Sequence, residues 1–291
     1  MSYSLESIIE GLKEAESLDK RRRILSNLTK EEKQAVFGEL YFEKGRELGL
    51  SGYQRYSEVN RIHDAYYLLT YACIKGLNAR RVLELGCATG ALIKMLRNVG
   101  REAYGIDISS YAISKSDKNV KSYLYCLDVE TEKLPFKEGF FDMIVAIDVL
   151  EHVAKITYTL HMLSNLLRQG GFLLVTVPKP LPEAWNDLTH INVWTEDIWC
   201  KLFTDERFHP LPLNADYPTI LKAYVDISGV FTPSYNIKGL LTNFVARYKF
   251  GRSILHKYLL GMRRLPQNFG EIRKRNYMFL LMKKASKNLQ H

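Results

Sequence analysis

From Arg80 onward the chain alternates short, continuous apolar runs with stretches of helical period. Arg81–Leu85 (RVLEL) is a short apolar strand, followed by a glycine-bearing turn and an amphipathic helix over Ala91–Arg97. A strand over Glu102–Asp107, a helix around Tyr111–Lys118 and a strand over Ser122–Leu127 come next. Phe141–Ile147 reads as a buried strand, Tyr158–Arg168 as a helix, and Phe172–Val177 as a strand that stops at Pro178. Continuous apolar strands alternating with helices predict a mostly parallel sheet covered on both faces. Right-handed crossovers make it doubly wound.

The flanks read differently. Before the sheet the pattern is helical: Thr29 and Glu32 form a capping box, and Val36, Phe37, Leu40, Tyr41 and Leu48 fall near a 3.6-residue period. Gly49 and Gly52 end that helix, and a second runs from Ser57 to about Lys75. After the sheet, 211–270 lacks clean periodicity, and Tyr277–Lys284 looks like a last strand. The expected fold is an α/β doubly wound, seven-stranded sheet with a helical N-terminal cap over 1–78 and a core over 79–210. A basic, substrate-side insertion over 211–275 precedes the final strand and C-terminus, 276–291.

Composition narrows this picture. The 291 residues are 46% hydrophobic and 25% charged, which excludes a wholly disordered chain. No apolar run approaches the roughly 20 residues of a spanning helix. The N-terminus lacks the layout of a secretory signal. Four scattered cysteines, Cys73, Cys87, Cys126 and Cys200, fit a reducing compartment rather than a disulfide framework. The expected location is the cytoplasm, open to peripheral contact with membrane.

Net charge is +9, and residues 239–291 hold twelve Lys/Arg against a single acid, Glu271. The excess sits entirely there. That segment is either a solvated face or the part that touches an anionic membrane or other polyanion.

The chemistry gathers where strands end, the place where such sheets bind ligands. The turn Glu84-Leu85-Gly86-Cys87-Ala88-Thr89-Gly90 has Gly-x-x-x-Gly, not the dinucleotide Gly-x-Gly-x-x-Gly, and an acid two residues before the first glycine. An acid there suits a positively charged ligand. Gly86 lets the backbone turn sharply, and Gly90 opens a helix whose free N–H groups favour a carboxylate or phosphate. Asp107 ends the second strand, where a carboxylate can accept both ribose hydroxyls, and Asp128 ends the third, where it can accept an adenine amino group. Together they describe an adenosine bearing a cationic group.

These motifs, with Phe141–Val153 (FDMIVAIDVLEHV) and Leu167–Leu174 (LRQGGFLL), resemble the Rossmann-like S-adenosylmethionine-dependent methyltransferases. Asp148-Val149-Leu150-Glu151-His152 is closest to the branch that includes ubiquinone-pathway O-methyltransferases and many glycan and small-molecule methyltransferases. The resemblance implies S-adenosyl-L-methionine as cofactor. It implies that Glu84 orients the methionyl amino group and that Gly86, Cys87, Ala88 and Gly90 line methionine and ribose with backbone. Asp107 would hold the ribose hydroxyls with Ile108 against adenine, Asp128 would take the adenine amino group beside Val129, and Ile147 and Asp148 would face the reacting sulfur.

A hydroxyl acceptor also needs a base, and a histidine suits that task. His152 and His190 are the two candidates; each could instead brace its loop. Glu151 and His152 are too few to infer a metal, so none is assigned. The loop Gly52–Tyr56, with two tyrosines and Arg55, is read as a lid or else an exposed linker. Trp185, Trp194 and Trp199 flank the expected acceptor cleft or belong to the core.

The leading expectation is methyl transfer to a hydroxyl of a small molecule, sugar or lipid-linked precursor. An RNA acceptor, drawing on the basic segment, is the alternative within the same chemistry, although no nucleic-acid-binding module is recognised. A nicotinamide-dependent oxidoreductase and a non-catalytic scaffold of the same fold are the others.

Overall fold

The computed structural model describes residues 3–56, 65–211 and 275–283. Seven strands form one sheet: β1 (Arg81–Leu85), β2 (Glu102–Asp107), β3 (Leu124–Cys126), β4 (Phe141–Ile147), β5 (Leu167–Pro178), β6 (Phe208–Leu211) and β7 (Asn276–Lys283). Their order is β3-β2-β1-β4-β5-β7-β6. The first five run parallel, and β7 lies antiparallel between β5 and β6. The order reverses between β1 and β4, so the carboxyl ends of these two strands flank the crevice where open α/β sheets bind ligands.

The N-terminal helices are α1 (Leu5–Glu14), α2 (Leu18–Ser26), α3 (Lys30–Val36), α4 (Glu39–Glu43), α5 (Gly45–Leu48) and α6 (Ala65–Gly76). Along the sheet follow α7 (Ala91–Asn98), α8 (Ser110–Ser114), α9 (Ile156–Leu166) and α10 (Glu196–Asp205). One apolar layer holds Ile74, Leu92, Ile93 and Leu96 against Val82, Met143 and Val145. The opposite layer packs Leu160, Leu163, Trp199 and Phe203 on Leu83, Ile144 and Val175. A third cluster belongs to the cap: Ile8, Leu12, Leu25, Val36, Tyr41 and Phe42 close on Ala88, Ala112, Leu188 and Ile191. The cap therefore rests on the carboxyl-end loops.

Several expectations are corrected. The stripe from Val36 to Leu48 is three short helices rather than one, because Gly38 takes an extended conformation (φ −92°, ψ −151°) and Lys44 breaks the chain again (φ −132°). Gly49 closes the last of them in the left-handed conformation at φ 66°, as the sequence indicated. The helix read over Tyr158–Arg168 ends at Leu166, and β5 begins directly at Leu167. The helix around Tyr111–Lys118 is only Ser110–Ser114. β6 has no sequence signal; it is a four-residue edge carrying Pro210, a residue sheets tolerate at edges. The start of the second expected helix, 57–64, and most of 211–275 and of the basic segment lie outside the described residues.

Candidate functional site

The turn after β1 is held by its neighbour strand: Gly86 and Cys87 both donate to Ile106 O, at 2.8 and 3.1 Å. Gly86 has φ +72°, and a Cβ there would lie 2.2 Å from Val149 Cγ2. Glycine is required on both counts. Gly90, at φ +76°, starts α7, and a Cβ on it would meet Leu124 Cδ1 at 2.7 Å.

Asp107 fixes the loop it faces. One carboxylate oxygen accepts from Ala88 N at 2.7 Å, and the other from Ser109 N at 2.8 Å. Burial pushes its carboxyl above the ordinary range, opposed by these backbone donors. Each oxygen keeps further lone-pair capacity toward the cavity.

That cavity is lined by Glu84, Gly86, Ala88, Asp107, Ile108, Asp128, Val129, Ile147 and Asp148, so the structure brings most of the sequence candidates together. Cys87 and Gly90 are not in its wall. The Cys87 side chain turns into the core, where burial and the neighbouring Asp107 and Glu84 raise its thiol pKa well above the usual range.

The cap closes the other side with Lys33, Phe37, Tyr41, Phe42, Tyr53 and Tyr56. Phe37 and Tyr41 read in the sequence only as part of an apolar helical stripe, and Lys33 and Phe42 are not site candidates there. The tyrosines of the Gly52–Tyr56 loop face this cavity, whereas Arg55 is exposed and sits at φ 52°. Arg55 N and Tyr56 N pin the loop to α4 through Glu43 O and Phe42 O.

A second cleft adjoins the first. Tyr41, Tyr53, Asp148 and His152 line both, while Glu151, Asp187 and His190 line only the second. Asp148, at φ 51°, is strapped to the sheet: Thr176 Oγ1 donates to its Oδ1 at 2.7 Å and Asn276 Nδ2 at 3.1 Å.

The histidines sit in a hydrogen-bonded frame. Thr189 Oγ1 donates to Asp187 Oδ1 at 2.6 Å, so it accepts from His152 Nδ1 at 2.9 Å. His190 Nδ1 donates to Ala184 O at 2.7 Å. In both rings the proton is thereby placed on Nδ1, leaving the Nε2 lone pair available. Both Nε2 atoms face Glu151 Oε1, at 4.0 Å from His152 and 3.9 Å from His190. Burial, with Asp148 and Asp187 nearby, raises the Glu151 carboxyl well above the usual range. Burial and then His190 lower His152 to about 4.

Asn192, unremarked in the sequence, holds this loop: its Nδ2 donates to Leu150 O at 2.8 Å and Val153 O at 2.6 Å. From the cap, Arg22 donates to Ile191 O at 2.6 Å and to Asn192 Oδ1 at 3.1 Å. Trp199 is fully buried and belongs to the core, while Trp185 is 41% exposed.

Among the described residues, Glu151, His152 and His190 are the group able to hold a metal ion, their ligand atoms lying within 4.8 Å of one another. His190 supplies the third ligand that adjacent residues alone could not. Also among the described residues, no helix is long and apolar enough to cross a membrane.

The family model described as "Methyltransferase domain" matches residues 41–216, more than half of the chain. The chain belongs to the methyltransferase-domain family. Among curated relatives, the domain is 28% identical over 141 residues to the ubiquinone biosynthesis O-methyltransferase of Alkalilimnicola ehrlichii, covering 44% of this chain and 55% of that protein. It is 25% identical over 204 residues to the protein of the same name from Nitrosococcus oceani, covering 66% and 79%. The chain thus spans about half the length of the first of these relatives. The solved YcgJ protein from Bacillus subtilis aligns over 76% of this chain and all of its own, with TM-score 0.47 and 14% identity.

The methyltransferase domain's cavity fits S-adenosylmethionine on its own geometry. Gly86 leaves the backbone bare where a Cβ would clash, Asp107 presents acceptor capacity, and aromatic rings of the cap line the wall.

Proposed function

We propose that the chain is an S-adenosylmethionine-dependent methyltransferase that acts on a hydroxyl of a small molecule, sugar or lipid-linked precursor, with His190 as the base. The observation that carries the reading is the shared wall: Asp148 and His152 border both clefts, so a methyl donor in the first and an acceptor in the second meet there. When bound, the cofactor supplies a methyl group already activated on a sulfonium.

The protein's part is placement. Glu84 orients the amino group of the donor and Asp107 its ribose hydroxyls, while Ile108 and Val129 hold the adenine. Tyr41, Phe42, Tyr53 and Tyr56 exclude water, and Ile147 and Asp148 border the reacting end. Alignment of this kind supplies roughly 7–11 kcal/mol of the barrier. His190 Nε2, with its proton partner fixed on Nδ1, takes the acceptor hydroxyl's proton as the oxygen attacks in line. His152, lowered to about 4, is a weak base and positions the junction through Thr189. The names of the curated relatives support an oxygen acceptor.

The basic segment on which an RNA acceptor or a polyanionic surface rests lies mostly outside the described residues, and the site itself supports a small acceptor. The test is transfer of an isotopically labelled methyl group to a panel of hydroxyl, amine and RNA acceptors. Methyl ethers are expected. Label confined to nitrogen, carbon or RNA would overturn the acceptor assignment.

A further inference from the structure

Lys33 is a cap residue with no part in the expected cofactor site. Its ammonium nevertheless reaches the end of β3, where Nζ lies 2.9 Å from Asp128 Oδ2 and also pairs with Glu130. The three side chains are nearly sealed, at 7%, 4% and 8% exposure for Lys33, Asp128 and Glu130. Asp128 is otherwise bound by Glu130 N and Thr131 Oγ1, each at 3.0 Å, and the second Glu130 oxygen accepts Lys155 N at 2.5 Å. Two carboxylates therefore share one ammonium in the cavity wall that Lys33, Asp128 and Val129 line together.

An ammonium has three N–H donors. Among the described residues two are taken, by Asp128 and Glu130. Buried donors are seldom left unmade. The third has the cavity to serve. Adenine presents an amino donor flanked by ring-nitrogen acceptors, and this wall presents the complement, a carboxylate acceptor beside an ammonium donor.

Resting on the cofactor reading above, we infer that Lys33 is an adenine-binding residue supplied by the cap: it donates to a ring nitrogen next to the amino group that Asp128 accepts. Base recognition is then divided between the core and the cap. Loading the nucleoside adds a contact that the cap makes directly, so cap docking and cofactor binding reinforce each other.

The test is calorimetric titration of S-adenosylhomocysteine and of two analogues, with CH in place of N1 or of N7, on the parent and Lys33→Met. The parent should lose at least about tenfold in affinity for one analogue, the scale of a hydrogen bond to a charged group. Lys33→Met should bind S-adenosylhomocysteine more weakly yet bind that analogue equally well, because the penalty has gone with the donor. An analogue penalty retained in Lys33→Met would assign the donor to backbone and overturn the inference, as would a parent that binds all three ligands alike. A parent that binds none of them defeats the cofactor reading itself. Comparing ligands within one variant cancels a general loss of fold, and Lys33→Arg, which keeps charge and donors, should retain the discrimination if Lys33→Met fails to fold.

Discussion

The rings of His152 and His190 lie 4.8 Å apart, centroid to centroid, and turn the same nitrogen toward one buried carboxyl, Glu151. They come from loops after different strands and differ in one respect that matters chemically. His152 is packed edge-on against Phe37 and Tyr41 and is lowered to about 4, whereas His190 opens on the acceptor cleft alone.

The two histidines should therefore separate on substitution. His152 is already neutral throughout the range above about 4, so its titration does not set activity near neutrality. His152→Gln should leave the acid limb of kcat where the parent has it, while lowering its height. His190→Gln should cost about 100- to 10,000-fold in kcat, the usual scale of general-base catalysis. A limb abolished by the His152 change, with turnover retained in His190→Gln, would exchange their roles.

Chelation separates the base from a ligand role for the same pair. The base assignment expects methyl transfer to be unchanged by EDTA and by added divalent cations. Turnover that vanishes with EDTA and returns with a divalent ion would make Glu151, His152 and His190 ligands.

The Gly52–Tyr56 loop contributes rings, not charge. Tyr53 borders both clefts and stacks on Phe42 at 5.7 Å, so Tyr53→Ala should weaken S-adenosylhomocysteine binding. About tenfold is expected from the loss of one packed ring. Arg55→Ala should leave affinity unchanged in the same calorimetric assay, since that side chain is exposed.

Asp142 pins β1 to β5 away from the site. It accepts from Arg80 N at 2.9 Å, Arg81 N at 2.8 Å and Arg168 Nε at 2.8 Å. Burial opposes its ionisation, but these donors prevail and hold the carboxyl below its usual value. A depressed folded pKa gives stability that is present above the unfolded value, about 3.9, and is lost as pH falls through the folded one. Asp142→Asn should cost about 1–3 kcal/mol at neutral pH. In urea unfolding the variant and parent should converge in acid; a gap that persists there would mean packing, not charge, is responsible.

The sheet and most of the cavity were legible because each rests on local pattern. The runs Val82–Leu85 and Met143–Ile147 are buried on both faces, and Glu84, Asp107 and Asp128 stand at or beside strand ends where topology gathers them. What escaped depends on contacts distant in sequence. Lys33 sits in a capping-box helix and reads as a solvated charge; only the 95-residue reach to Asp128 shows otherwise. Thr189 and Asn192 are small polar residues whose roles exist only once their loop meets Leu150–Val153. The break at Gly38 was hidden because apolar period continues through it while the backbone does not.

The cradle for an adenosyl sulfonium is tested most directly by calorimetric titration of S-adenosylhomocysteine on the parent and on Asp107→Ala. The expected result is saturable binding of one ligand per chain, weakened at least about tenfold when the carboxylate is removed. No heat at millimolar ligand, or equal affinity in the two proteins, would contradict it.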